Sequence, residues 1–303
     1  MANISFVSEE NAFVPEYMPI LIRIDRSKGL DDEERIRWLG SAFVVGVQML
    51  FTAKHVALQL LAEDPDLAHG RPSRIQYAVI QALKGTQQLI VWNIHSIGMI
   101  DNCDVALVTL SPAHNRAKNY LRWSGLTLSF VPPRIGDRVA ESGVHKIDIK
   151  SLRMDGDNIH VELDAKRTFS EGVVKDVHFE SRDRGMYSFP CFQLDAQFDA
   201  GMSGGYVINE RNEVCGVVCG SLAATSEDEE HVSYAALLWP VVSLPVPPEW
   251  IPGAVTGVDY LLWDYYKQAT VKPIGLERVS FSNELATRGV ITSSYTDPTE
   301  QYK

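Results

Sequence analysis

The sequence predicts an all-β protein whose strands fall into two consecutive sets. Short apolar runs rich in β-branched residues recur along most of the 303 residues, with turn residues between them. This pattern is typical of a sandwich or a barrel. Pro132 and Pro133 separate the two sets, because proline cannot donate a hydrogen bond to a central ladder. Helical patterns are confined to residues 56–62 and to the C-terminal region.

The strand-like runs of the first set lie at residues 18–24, 40–53, 74–83, 88–94 and 104–110. Those of the second set lie at 137–144, 158–169, 172–180, 191–198, 204–210, 213–222 and 232–242. After a proline-rich stretch, the aromatic run 257–271 predicts a short helical extension that packs on the second set or, as the alternative, offers an apolar patch to a partner. We expect units at 1–130, 131–245 and 246–303, the last with a frayed end.

Composition excludes several functional classes. With 45% apolar and 22% charged residues the chain is globular. Its net charge of −11 argues against a nucleic-acid surface, which needs a basic patch, and against anionic membranes as partners. The N-terminus has no signal-peptide pattern, and no run reaches the roughly eighteen apolar residues of a spanning helix. We therefore expect a cytoplasmic protein.

The cysteines predict neither disulfides nor a metal site. Cys103, Cys191, Cys215 and Cys219 are too sparse for a disulfide scaffold. The spacing of the last two matches no standard zinc motif, and no histidine pair lies near them. We expect four free thiols, no metal and no cofactor.

The stretch "DAGMSGGYVI", residues 199–208, places Ser203 among three glycines. Such a stretch is either a tight turn between strands or a place where the backbone takes an unusual conformation around a reactive hydroxyl. A hydroxyl nucleophile needs a base and a third group that orients the base. His55 follows an apolar strand in "LFTAKHVA", and Asp104 opens the apolar strand "DVALVTL". An acid in that position needs a polar partner, which an imidazole would provide.

The remaining histidines are expected to be surface or satisfied structural groups: His69, His95, His114, His145, His160, His178 and His231.

The stretches "TAKHVA", "DVALVTL" and "GMSGG", in the chain order His–Asp–Ser, resemble the signature stretches of the chymotrypsin-like (trypsin-like) serine proteases. Other folds with these three residues use different orders. The sequence around Ser203, "FQLDAQFDAGMSGGYVINERNEVCGV", is similar to the HtrA/Deg and glutamyl-endopeptidase branch. The resemblance covers about residues 19–244, and no PDZ domain is expected in the 50 residues after Gly253.

The resemblance implies two antiparallel six-stranded β-barrels with a cleft between them. His55 and Asp104 would come from the first barrel and Ser203 from the second, as base, orienting group and nucleophile. The N–H groups of Gly201 and Ser203 would form the oxyanion hole.

The resemblance also places the substrate pocket. Gln197 would lie at its base, and Cys219, Gly220 and Ser221 would form its wall. Because Gln197 is not an acidic residue, this position does not support a preference for substrates with Arg or Lys. The acidic run at 226–230, just after the wall, is expected to be a solvated loop.

Met202 stands where digestive-type members carry the aspartate that pairs with a new N-terminus, so the zymogen switch is expected to be absent. Control would then come from loop ordering or an activating partner, with the Ala200–Gly201 peptide as the switch point. These expectations describe a serine endopeptidase of restricted range that acts on proteins or peptides. The alternative is a catalytically idle binding or sensor module with the same fold.

Overall fold

The computed structural model describes residues 17–29, 32–62, 73–82, 89–113, 125–155, 158–199, 201–222, 232–282 and 292–296. Strands dominate this part of the chain, as the sequence predicts. The strands are β1 (Ile20–Asp25), β2 (Ile36–Ser41), β3 (Phe43–Gly46), β4 (Met49–Ala53), β5 (Ile75–Ala82), β6 (Leu89–Gly98), β7 (Val105–Pro112), β8 (Arg138–Asp155), β9 (Asn158–His178), β10 (Cys191–Leu194), β11 (Tyr206–Asn209), β12 (Val214–Leu222), β13 (Val232–Leu237), β14 (Pro245–Val246), β15 (Tyr260–Leu261), β16 (Val279–Ser282) and β17 (Thr292–Tyr295). The helices are α1 (Lys54–Ala62) and α2 (Leu262–Gln268), with 3₁₀ turns at Glu33–Arg35, Trp239–Ser243, Pro248–Trp250 and Leu276–Arg278.

The first sheet has the strand order β2-β1-β5-β6-β7-β4-β3, and its neighbours are antiparallel. β2 and β3 lie at its two edges, and no ladder joins them among the described residues. The closed six-stranded barrel expected for this half is therefore not confirmed. Only Ala42 separates β2 from β3, so consecutive segments of the chain form the two edges. The N–H groups of Ala42 and Val44 donate to the carbonyl oxygens of Pro19 and Tyr17, just before β1.

The second sheet is the closed barrel β10-β13-β12-β11-β8-β9, which confirms the six-stranded barrel expected for this half. β11 pairs with the start of β8, where Tyr206 lies opposite Ser142. This pairing brings the segment that precedes β11 against the middle of β8.

The cores of the two sheets are continuous. Phe43 packs edge-to-face on Phe51, with ring centres 5.9 Å apart, and on Tyr206 of the second barrel at 5.8 Å. Trp92 is fully buried, and its Nε1–H donates to Gln81 Oε1 at 3.0 Å. The buried indole N–H of Trp92 thus has a hydrogen-bond partner within the core. The contact between Phe43 and Tyr206 joins the two halves by aromatic packing.

Ser41 joins the sheets by hydrogen bonds. Its backbone N–H donates to the carbonyl oxygen of Ser203 at 3.0 Å. The Val144 N–H donates to Ser41 Oγ at 2.9 Å, and Oγ donates to the Val144 carbonyl at 3.2 Å. Thr52 Oγ1 donates to the Ser41 carbonyl at 2.7 Å. Because Ser41 is fully buried, these bonds are shielded from water and fix the end of β2 against the second barrel.

The C-terminal helix α2 starts later than the sequence predicts, because β15, just before it, pairs with β14. Leu262 and Tyr266 are buried, and the Tyr266 ring lies 5.8 Å from that of Phe130, in the segment that connects the two sheets. A Cβ at Gly46 of β3 would lie 3.2 Å from the Tyr265 hydroxyl. The helix is thus packed against the connecting segment and also contacts the first sheet. Its packing on the second barrel stays a prediction. No helix in the described part is long and apolar enough to cross a membrane.

Ser41→Ala is expected to lower the free energy of unfolding by about 1–3 kcal/mol, because the buried Val144 N–H would lose its partner. Ser243→Ala is the matched control. Ser243 is also buried, but its Oγ has no hydrogen-bond partner in the described part of the chain, so we expect unchanged or slightly higher stability. Urea denaturation of wild type and both variants measures the effect, and equal midpoints for the two variants would contradict it.

Candidate active site

The pairing of β4 with β7 brings His55 and Asp104 together. Ala53 at the end of β4 lies opposite Val105 at the start of β7, so the residues next to these ends are neighbours. His55 Nδ1 lies 2.9 Å from Asp104 Oδ2, and the His55 backbone N–H donates to Asp104 Oδ1 at 3.0 Å. Both carboxylate oxygens therefore hold the same histidine.

This contact assigns the imidazole tautomer. Asp104 is buried, whereas the side chain of His55 is 46% exposed, so the ring reaches from the carboxylate towards solvent. An ionised carboxylate only accepts hydrogen bonds, which places a proton on Nδ1 and leaves Nε2 as the basic nitrogen. A general base needs this tautomer.

Ser203 lies in a loop made of Asp199 and Gly201–Gly205, which we call the Ser203 loop. Hydrogen bonds from Gly204 N–H to the Val218 carbonyl and from Gly205 N–H to the Met202 carbonyl, both 2.9 Å, fix its end. Ser203 Oγ donates to the Cys219 carbonyl at 3.0 Å. Within the described residues it forms no hydrogen bond to His55. The structure thus brings Ser203 to the junction of the sheets with its hydroxyl on β12.

The glycines of the Ser203 loop are required by space as well as by conformation. Gly201 and Gly204 have φ of 98° and 85°, which side chains other than glycine rarely adopt. A Cβ on Gly201 would lie 1.8 Å from Trp38 Cη2, and one on Gly204 would lie 2.1 Å from the Ser41 carbonyl oxygen. The loop is therefore packed between β2 and the second barrel, and Trp38 is a neighbour that the sequence did not reveal.

The N–H groups of Gly201 and Ser203, predicted to form an oxyanion hole, donate to no backbone carbonyl of the described residues. Met202 N–H, between them, donates to the Asp199 carbonyl at 3.1 Å. The role of the Gly201 and Ser203 N–H groups as an oxyanion hole stays a prediction. Ala200, half of the peptide predicted to be a switch, lies outside the described residues.

The residues predicted to form the substrate pocket lie on two linked segments. Gln197 and Ser221 are exposed, and Ser221 Oγ donates to the Phe198 carbonyl at 3.1 Å, which joins the segments. Gly220 is partly exposed. Their role stays a prediction, and the acidic run at 226–230 lies outside the described residues.

Cys219, the fourth pocket residue, is buried and directs Sγ to the Val217 carbonyl at 3.4 Å. Burial, followed by the nearby Asp104 carboxylate, raises the pKa of its thiol well above the usual value. A thiol in this environment stays protonated and inert. Cys219 therefore contributes its carbonyl oxygen to Ser203, and its side chain packs beside Asp104.

Comparison with known proteins identifies the family. Residues 40–217, more than half of the chain, match the model of the trypsin-like peptidase domain. The chain belongs to this family. Solved structures similar to it include the active form of the Rv3671c protease from M. tuberculosis, at 15% identity over 78% of this chain and 88% of that chain with a TM-score of 0.43. The MamO protease domain from Magnetospirillum magneticum is 14% identical over 74% and 93% with a TM-score of 0.43, and Deg5 is 18% identical over 73% and 82% with a TM-score of 0.45. No curated protein sequence matches the chain.

A buried polar cluster lies beneath the Ser203 loop of this trypsin-like peptidase domain. Side chains alternate along β8, so Glu141, Gly143 and His145 face the same way. His145 is buried; its Nε2 lies 2.5 Å from Thr168 Oγ1 and its Nδ1 lies 3.4 Å from Asp199 Oδ2. His145 was expected to be a surface or satisfied structural group, and it is a buried, bonded one that reaches the Ser203 loop.

Glu141 is the residue of this cluster that the sequence analysis missed. It is fully buried, and neither carboxyl oxygen has a hydrogen-bond partner in the described part. Burial, followed by the Asp199 carboxylate, raises the pKa of Glu141 to about 9, while the Ser170 side chain acts in the opposite direction. The carboxyl is therefore uncharged at neutral pH. A single glutamate inside the apolar strand "VAESGV" was the available signal.

Gly201→Ala in this peptidase domain is expected to lower the free energy of unfolding by about 1–3 kcal/mol more than Gly136→Ala does, because the new methyl group overlaps the Trp38 ring. Gly136 is the matched control: its φ is 90°, and nothing lies within 4 Å of a Cβ there, so it reports the backbone strain alone. Chemical denaturation of both variants measures the difference. Equal losses of stability in the two variants would contradict this prediction, because the Trp38 ring would then move away from the new methyl group at no cost.

Glu141→Gln is expected to stabilise the peptidase domain increasingly as pH rises. The unfolded chain releases the Glu141 proton near its ordinary pKa of 4.5, whereas the folded protein keeps it up to about 9, so wild type loses stability through this window. The gain should be on the order of 3 kcal/mol at pH 7 and vanish near pH 4. Denaturation between pH 4 and pH 9 measures it, with exposed Glu180 changed to Gln as the control. Parallel stability curves would contradict the assignment.

Proposed function

We propose that the chain is a serine endopeptidase that cleaves proteins or peptides through Ser203, His55 and Asp104. The observation that carries this proposal is the double contact of Asp104 with His55, because it leaves Nε2 of an exposed ring free to take a proton. Membership of the trypsin-like peptidase family supports it. So does the hydrogen bond that holds the Ser203 backbone against β2.

In the proposed reaction, His55 Nε2 takes the proton of Ser203 Oγ as the oxygen attacks the scissile carbonyl. The negative oxygen that forms is stabilised by the N–H groups of Gly201 and Ser203. His55 then gives its proton to the leaving amine, and an acyl-enzyme ester remains. Water, activated by the same imidazole, hydrolyses the ester and releases the acid. Asp104 holds the ring and stabilises its positive charge in both steps.

The hydrogen bond from Ser203 to the Cys219 carbonyl suggests how the proposed activity is controlled. The hydroxyl has to leave this acceptor and turn to His55 before it can lose its proton. Bound substrate or an activating protein would favour that rotation, which accords with a protease of restricted range. A cytoplasmic location remains a prediction from the sequence.

The second candidate is a catalytically idle binding or sensor module. The same Ser203–Cys219 hydrogen bond favours it, because a hydroxyl that stays on a backbone carbonyl is not activated. The two candidates differ in whether Ser203 reacts with an electrophile in the resting protein.

Wild type is expected to react with a fluorophosphonate probe at Ser203, and Ser203→Ala is expected not to react. His55→Ala should slow labelling on the order of 10³- to 10⁴-fold, because the base is lost. Ser280→Ala, which removes an exposed serine on β16, is the control and should label like wild type. Mass spectrometry of the labelled protein identifies the site. A wild type that does not label would favour the idle module.

A further inference from the structure

Asp199 links the buried cluster to the residues that carry the proposed chemistry. Its carboxylate lies 3.4 Å from His145 Nδ1. Its carbonyl accepts the Met202 N–H at 3.1 Å, and its own N–H lies 3.3 Å from Met202 Sδ. The backbone of Asp199 thus contacts Met202, the residue next to Ser203, while its carboxylate contacts His145 on β8.

Met202 also rests directly on β8. It is fully buried, and a Cβ added to Gly143 would lie 2.7 Å from Met202 Cβ. Gly143 stands between Glu141 and His145 on the same face of the strand. The backbone around Gly201 is therefore held above this face by an apolar contact at Met202 and a polar contact at Asp199.

The contact between Asp199 and His145 depends on the charges around it. Asp199 is the charged group that acts on Glu141, and His145 lies on the same face of β8. From β9, Arg167 donates to Ser142 Oγ at 2.8 Å and to the Tyr206 hydroxyl at 3.3 Å, so its guanidinium has partners outside the cluster. The described groups do not converge as metal ligands. A negative charge on Glu141 would therefore repel the Asp199 carboxylate.

We propose that Asp199 and His145 are a positioning pair that holds the Ser203 loop on β8, and that the pair holds the loop only while Glu141, buried on the same face of β8, is uncharged. Neither residue of the pair touches the reacting atoms; the pair sets the direction of the Gly201 N–H through the backbone of the loop. The proposal rests on the function proposed above as far as catalysis is concerned. The hold on the loop itself is independent of catalysis.

Hydrogen exchange of the 303-residue chain tests directly whether the pair holds the loop. In Asp199→Asn, the amides of Met202, Gly204 and Gly205 are expected to exchange at least tenfold faster than in wild type, with no change in β13. Asp259→Asn is the control, because Asp259 is an exposed aspartate and the variant loses the same charge. Equal exchange in Asp199→Asn and wild type would overturn the proposal, whatever the labelling rates show.

The rate of fluorophosphonate labelling between pH 6 and pH 10 tests the role of Glu141. We expect wild type to lose labelling above about pH 9, where Glu141 ionises, and Glu141→Gln to move this fall to higher pH. Asp199→Asn should label about ten- to a hundredfold more slowly at pH 7, because a small displacement of the donors is costly, and Asp259→Asn should follow wild type. An alkaline fall that is identical in wild type and Glu141→Gln overturns the role of Glu141.

The two measurements separate this proposal from the function on which it partly rests. If wild type never labels but Asp199→Asn exchanges faster, the endopeptidase proposal fails and the positioning pair stands. If wild type labels and Asp199→Asn matches it in both measurements, the pair is overturned and the endopeptidase proposal stands.

Discussion

Three hydrogen bonds at Ser41 determine how the two halves of the molecule meet. Two of them join Ser41 to the backbone of Val144, and the third joins it to the carbonyl oxygen of Ser203. Ser41 is the last residue of β2, beside the Ala42 position where the chain passes from one edge of the first sheet to the other. The second barrel is thus attached where the chain passes from one edge of the first sheet to the other. The Phe43 and Tyr206 rings pack against each other at the same junction.

The candidate site depends on this attachment, because its groups come from both sides of it. His55 and Asp104 are fixed to each other within the first sheet. Ser203 belongs to the second barrel, and its carbonyl oxygen is held by β2. A site divided in this way exists only while both halves are folded and docked, so global stability and chemistry are linked more closely than in a site carried by one element.

The sequence predicted the parts of the structure that local patterns encode. The β-rich architecture followed from the apolar runs, whereas the second barrel followed from the family resemblance that the three motifs carry. The proximity of His55 to Asp104 followed from the motifs themselves. The open first sheet did not follow, because it depends on which partner strand the chain takes on either side of Ala42. The late start of α2 did not follow either, since the pairing of β15 with β14 overrides an amphipathic pattern that begins earlier. Glu141 was visible in the sequence as a single glutamate inside an apolar strand. Its burial could not be predicted, because it depends on neighbours that are distant in sequence.

The crowded surroundings of the Ser203 loop limit how this protein can diversify. Gly201 faces the Trp38 ring, Gly204 faces the Ser41 carbonyl, and a Cβ on Gly205 would lie 2.2 Å from the Ser142 carbonyl oxygen. None of these positions can accept a side chain without moving a neighbour. Gln197 and Ser221, near the loop, are exposed and free of this crowding. The positions packed around Ser203 thus accept few substitutions, whereas the exposed positions near them can vary.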